Sequence, residues 1–185
     1  MRHAVGLILA ISMLSVGALV RAGMSGQAPQ TGGHNPMIAI PKSIQAEHKA
    51  IHDALTEATK ASGRVGVAAR ELAAVLGPHF KREDEIALPP LGLLGPLAAG
   101  ETPAGMKEAL AMSDALRKEM PRMLEEHKQI RAATEKLRTV AREEKASVQA
   151  EFAEELAAHA TSEEEVLYPA AILVGDIIRA RMSKK

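Results

Sequence analysis

Residues 79–89 read HFKREDEIALP and residues 159–169 read HATSEEEVLYP. Superposed on their histidines, both give His, three residues, Glu, an acid, Glu, Ile or Val, two more residues and Pro. His79 and His159, Glu83 and Glu163, and Pro89 and Pro169 each stand 80 residues apart. Upstream, EHKAI at 47–51 matches EHKQI at 126–130, which sets His48 against His127 at an offset of 79. A nearly constant offset means that one unit is used twice: a helix carrying a His, then a helix carrying His-x-x-x-Glu. Two such hairpins predict a four-helix bundle.

The rest of the composition agrees with an all-α domain. Hydrophobic residues make up 46% of 185, yet the aromatics are two Phe and one Tyr, with no Trp. A core of Ala, Leu, Val, Ile and Met favours helices over strands. There is no Cys, which removes disulfides, thiolate zinc sites and iron–sulfur clusters and leaves His and carboxylate to hold any metal. Acidic and basic residues balance at 23 each, with no basic stripe, so nucleic acid is not an expected partner.

The N-terminus has the layout of a secretory signal. Arg2 and His3 precede an apolar run from Ala4 to Val20, and Val20-Arg21-Ala22 offers small residues at a cleavage spacing. Residues 1–22 are therefore expected to be a signal peptide. The alternative is an uncleaved membrane anchor, since the run is at the short edge of a spanning helix, and only then would a membrane be a partner. Residues 23–40, rich in Gly, Gln, Asn and Pro, read as a flexible tether. Either way the domain at 41–185 is expected to work outside the cytoplasm, in the periplasm or secreted.

Helical periodicity places the repeated residues on inward faces. The first helix, beginning near Pro41–Ser43, carries Ile44, His48, Ile51, Leu55 and Ala58 on one stripe. The second, about 65–88, aligns Ala68, Leu72, Val75 or Leu76, His79, Glu83 and Ile86, with Gly77-Pro78 expected to kink it. Residues 89–105 form a long Pro/Gly-rich connection whose leucines predict packing, and a lid over the open bundle end is one role for it. The third helix, about 106–142, lines up Leu116, Met120, Met123, His127, Ile130, Thr134 and Leu137, with a break or kink at Pro121. The fourth, about 145–167, turns Val148, Phe152, Leu156, His159, Glu163 and Val166 inward, and a short amphipathic helix follows Pro169. In an up-down-up-down bundle these histidines and glutamates fall in one layer, roughly 9–15 Å from one end at 1.5 Å per residue.

His and Glu four apart lie one above the other on a helix face, so both reach a single centre. Six inward polar groups would cost several kcal/mol unless mutually satisfied, and a pair of first-row metals satisfies them together. His48, His79, Glu83, His127, His159 and Glu163 are accordingly the candidate metal ligands. Asp84, Glu85, Glu164 and Glu165 read as solvated charges. His52 is either a fifth imidazole or an exposed helix-edge residue. Tyr168 reads first as a residue closing the bundle end, the alternative being a hydrogen bond near the metal layer.

Across roughly residues 41–175 this order of His, His-x-x-x-Glu, His and His-x-x-x-Glu resembles the hemerythrin-like, or HHE cation-binding, family. The resemblance implies a non-haem centre of two Fe ions held by those six residues, bridged by two carboxylates and by an oxo or hydroxo group. The oxygen-carrying members use five histidines, whereas position 131 here is Arg and the fourth helix carries Glu163. One imidazole fewer leaves the irons with more open positions. The leading expectation is binding of oxygen or a related small ligand. An iron-handling protein, a di-iron oxidase or peroxidase, and a metal-free helical interaction module are the alternatives. The sequence shows no nucleophile–base pair or phosphate loop that would make an enzyme the first choice.

Overall fold

A computed structural model describes residues 38–184. The expected signal segment at 1–22 and most of the tether lie outside the described residues. Four long helical runs form the bundle: α1 (Lys42–Thr59), α2 (Gly63–Ile86), α4 (Met106–Glu143), and α5 (Ser147–Ser162) fused end to end with α6 (Tyr168–Met182). The connection after α2 holds a 3₁₀ turn, Pro89–Leu93, and the short α3 (Leu94–Ala98). Among the described residues there is no strand, and no helix is long and apolar enough to cross a membrane.

The bundle is longer than the sequence pattern implies. α4 runs unbroken through Pro121, where a break or kink is expected, because Leu116 and Met123 on either side are fully buried and tertiary packing outweighs the one missing backbone bond. α2 likewise continues through Pro78. The expected separate C-terminal helix is instead the continuation of α5, joined to it by a single π turn over Glu163–Leu167. Pro169 has no N–H to donate, and a loosened turn just before it absorbs that loss.

α4 and the fused α5–α6 run past the ends of α1 and α2. The connection at 89–105 fills the space this leaves. Leu93 and Leu97 pack with Ile38, Ala109, Val174 and Ile178, while Leu91 joins Ile86, Leu88, Leu116, Met123 and Tyr168. α4 and α6 approach closely there. Ser113 Oγ donates to the Ala171 carbonyl at 2.7 Å, and a Cβ on Gly175 would stand 2.5 Å from the Ser113 Cβ. A third apolar cluster, including Ile51, Leu55, Leu72, Leu76, Ile130, Leu137, Phe152 and Leu156, fills the other end. On every helix the repeated histidine lies between a residue of this cluster and one of the cluster around Tyr168. The polar layer is thus sealed on both sides, in the interior of the bundle and not at an open end.

Two predicted inward residues point outward. Val148, in the first turn of α5, is 71% exposed and Val166 is 58% exposed. Val166 lies in the π turn, which shifts the helical phase on which its assignment depended.

Candidate metal centre

His48, His79, Glu83, His127, His159 and Glu163 are all buried, and all six meet in the one layer. They divide into two groups of mutually close ligand atoms, His79, Glu83, His127 and Glu163 in one and His48, His159 and Glu163 in the other. Glu163 belongs to both. Its Oε1 lies 2.7 Å from His159 Nε2 and 3.4 Å from His48 Nε2, and its Oε2 lies 3.4 Å from His127 Nε2. Each oxygen therefore faces a different imidazole set, as a carboxylate between two cations would. Glu83 faces one group only, with Oε1 3.4 Å from His79 Nε2.

The inner nitrogens are aimed at the centre by carboxylates outside it. His79 Nδ1 donates to Glu126 (2.9 Å), His127 Nδ1 to Glu164 (2.7 Å) and His159 Nδ1 to Glu47 (2.9 Å). A carboxylate can only accept, so it fixes the proton on Nδ1 and leaves Nε2 free for a metal. His48 Nδ1 has Asp84 at 3.9 Å, beyond hydrogen-bond length, and its ring stacks on Phe80 at 4.5 Å. Together these contacts run round the bundle: α1 reaches α5, the π turn reaches α4, α4 reaches α2, and α2 faces α1.

Glu164 is therefore not the solvated charge that its sequence suggested. It also accepts from Arg131 at 2.5 Å, so the arginine at the His52-equivalent position steadies an orienting group. His52 itself has a side chain 73% exposed and stands apart from the layer. Tyr168 does not merely close an end. It is 1% exposed, its hydroxyl hydrogen-bonds Glu83 Oε1, and Oη lies 3.1 Å from His127 Nε2 and 3.3 Å from His79 Nε2. The outer carboxylates had a signal in the sequence, since both copies place Glu before the upstream His and an acid after the motif Glu. Tyr168 had none, because its counterpart in the other copy is Leu88.

The protonation of the layer shows how strongly these groups depend on one another. Burial opposes a charge on His159, but Glu163 and Glu47 raise it to about 9. His79 is raised in the same way, its burial outweighed by Glu83 and Glu126. Burial also acts against ionisation of Glu163, yet His127, His159 and His48 hold its carboxyl well below the usual range. Glu83 is pushed up, chiefly by burial. Burial and the neighbouring carboxylates push the Tyr168 phenol up, so in the metal-free layer it is a donor.

The donor set fits a cation. His48 Nε2, His159 Nε2, Glu83 Oε2 and Glu163 Oε1 are buried without an aligned hydrogen-bond partner. Even the 2.7 Å approach of His159 to Glu163 is too oblique to count as one. His79 and His127 turn their Nε2 atoms towards each other at 2.8 Å. Imidazole nitrogens and carboxylate oxygens left facing a common centre are what a first-row metal satisfies. A cleft of about 250 Å³, lined by Glu47, Ile51, Ala54, Phe152, Glu155 and His159 among others, reaches the layer between α1 and α5.

Comparison with known proteins gives the same answer. The hemerythrin HHE cation binding domain matches residues 39–171, most of the chain. Searches of curated proteins and of solved structures returned no match. With every repeated His and Glu brought to a single layer and the match spanning all four helices, the chain belongs to the hemerythrin HHE cation-binding family.

Proposed function

We propose that this domain holds two iron ions through His48, His79, Glu83, His127, His159 and Glu163, and binds oxygen or a related small ligand at an open iron position. The observation that carries the reading is Glu163, which turns one oxygen to each of two imidazole groups. Bound iron would supply redox chemistry and open coordination positions. The chain's own residues hold and aim the donors. The outer carboxylates set the histidine tautomers, the two apolar clusters keep bulk water from the layer, and the cleft at His159 gives a small molecule a way in. The apolar leader at 4–20 supports a place outside the cytoplasm.

A second reading, a di-iron oxidase or peroxidase, is favoured by the buried phenol among the ligands. One experiment separates the readings. The protein is loaded with ferrous iron without air, its metal content is measured, and it is then exposed to oxygen and degassed. Two irons per chain with a visible absorption that comes and goes with oxygen supports the binding protein. An absorption that forms and decays irreversibly, with peroxide consumed, supports the enzyme. A colourless, iron-free protein would leave a metal-free helical module and sink both.

A further inference from the structure

Tyr168 reaches the layer by way of the π turn. Five residues after Glu163, a regular helix would place it about 140° round from that glutamate. A π turn winds more residues into each revolution and brings the fifth residue back over the first. The Tyr168 N–H accordingly donates to the Glu163 carbonyl. The other copy makes the same bond, from Leu88 N to the Glu83 carbonyl at 3.0 Å. Leu88 and Tyr168 are thus equivalent places, both 1% exposed. One copy fills the place with an alkyl group and the other with a phenol.

A buried tyrosine needs one acceptor for its hydroxyl, and Glu83 provides it. That need does not account for the rest of the geometry. Oη also stands 3.3 and 3.1 Å from the Nε2 atoms of His79 and His127. Those nitrogens are 2.8 Å apart, and His79 Nε2 is 3.4 Å from Glu83 Oε1. Adjacent donors on one first-row metal, with bonds of about 2.0–2.2 Å, stand roughly 2.8–3.6 Å from each other. The phenolic oxygen therefore has the spacing of a further donor, beside two imidazoles and the Glu83 carboxylate. The other group has no hydroxyl there, and its His48 is covered by the ring of Phe80.

We propose that Tyr168 is itself a metal ligand, joining His79, Glu83, His127 and Glu163 around one ion, with its hydroxyl proton displaced to solvent as the ion binds. The proposal rests on the iron-binding reading above. It makes the two metal positions unequal. One has an oxygen-rich shell, which favours the ferric state; the other, at His48, His159 and Glu163, has fewer protein donors and is the position with room for a small ligand.

Tyr168 is the single tyrosine of the chain, so a tyrosine signal from the metal has one source. The full chain is loaded with ferrous iron, oxidised, and studied by visible absorption and resonance Raman, with ordinary and with ring-deuterated tyrosine, alongside Tyr168→Phe. The expected result is a phenolate-to-iron charge-transfer band whose ring modes shift on deuteration, and loss of that band in Tyr168→Phe with iron still bound. Iron-loaded wild type with no isotope-sensitive ring modes would overturn the assignment while leaving the iron site standing. Wild type that takes up no iron would overturn both. The isotope comparison needs no variant, so it decides the matter even if Tyr168→Phe folds poorly.

Discussion

Glu163→Gln keeps the shape of a buried residue and removes its charge, so it isolates the electrostatics of the layer. In metal-free protein His159 is raised from 6.5 to about 9, against the effect of burial, first of all by Glu163. The folded state then keeps a proton that the unfolded chain has lost. Its stabilisation is complete below about pH 6.5 and disappears as pH rises through about 9. A rise of this size is on the order of 3 kcal/mol of stability lost between about pH 6 and pH 10. Urea unfolding of chelator-treated protein at several pH values across that range measures it. Through His159 wild type should lose on the order of 3 kcal/mol and Glu163→Gln less than about 1 kcal/mol, the remainder being what Glu47 contributes, while the His79 contribution, set chiefly by Glu83 and Glu126, is common to both. A variant with the wild-type slope would show that Glu163 does not hold His159, and the account of a mutually dependent layer would fail.

Four further outcomes are expected. His79→Ala and Glu163→Ala should each bring bound iron well below two per chain by metal analysis; full retention in both would remove them from the ligand set. Glu126→Gln leaves all six candidate ligands in place but frees the His79 ring, and should weaken iron about 10–100-fold in a competitive chelator titration, with wild-type affinity refuting the orienting role. Acidification should release metal, because a proton that prefers His159 below about pH 9 competes with the ion; apparent affinity falls about tenfold per pH unit for each such proton, and a flat profile would contradict it. Gly175→Ala should cost about 1–3 kcal/mol in thermal or urea unfolding, since its Cβ meets that of Ser113 at 2.5 Å; an unchanged midpoint would mean that α4 and α6 part easily.

The six central residues and the helices bearing them were legible because the sequence writes them twice, and because a 3.6-residue period places His and Glu on one face. Duplication also marked Glu47, Glu126, Asp84 and Glu164, but charge on a helix is ordinarily solvated. Only the packing of neighbouring helices shows that three of them meet a histidine. The continuity of the last helical run was hidden by Pro169, which read as an end, and Pro121 read as a break or kink; burial of Leu116, Met123, Val174 and Ile178 carries the helices past both. The outward face of Val166 and the full reach of Tyr168 into the layer were hidden for a single reason. A regular period was extended through Glu163–Leu167, and a π turn leaves no mark in hydrophobic spacing.

The circuit of outer carboxylates bears on how such a domain could have been assembled. Glu47 and Glu126 each cross from one duplicated hairpin to a histidine of the other, whereas Glu164 serves its own hairpin and Asp84 faces a histidine of its own. A lone hairpin would leave its crossing acid and one imidazole without mates. Two identical hairpins related by a twofold axis would close the circuit with themselves, so a homodimeric half-length ancestor could have had a complete site before the halves were joined. Within one chain the two copies are free to differ, and here one carries a phenol at Tyr168 where the other carries Leu88.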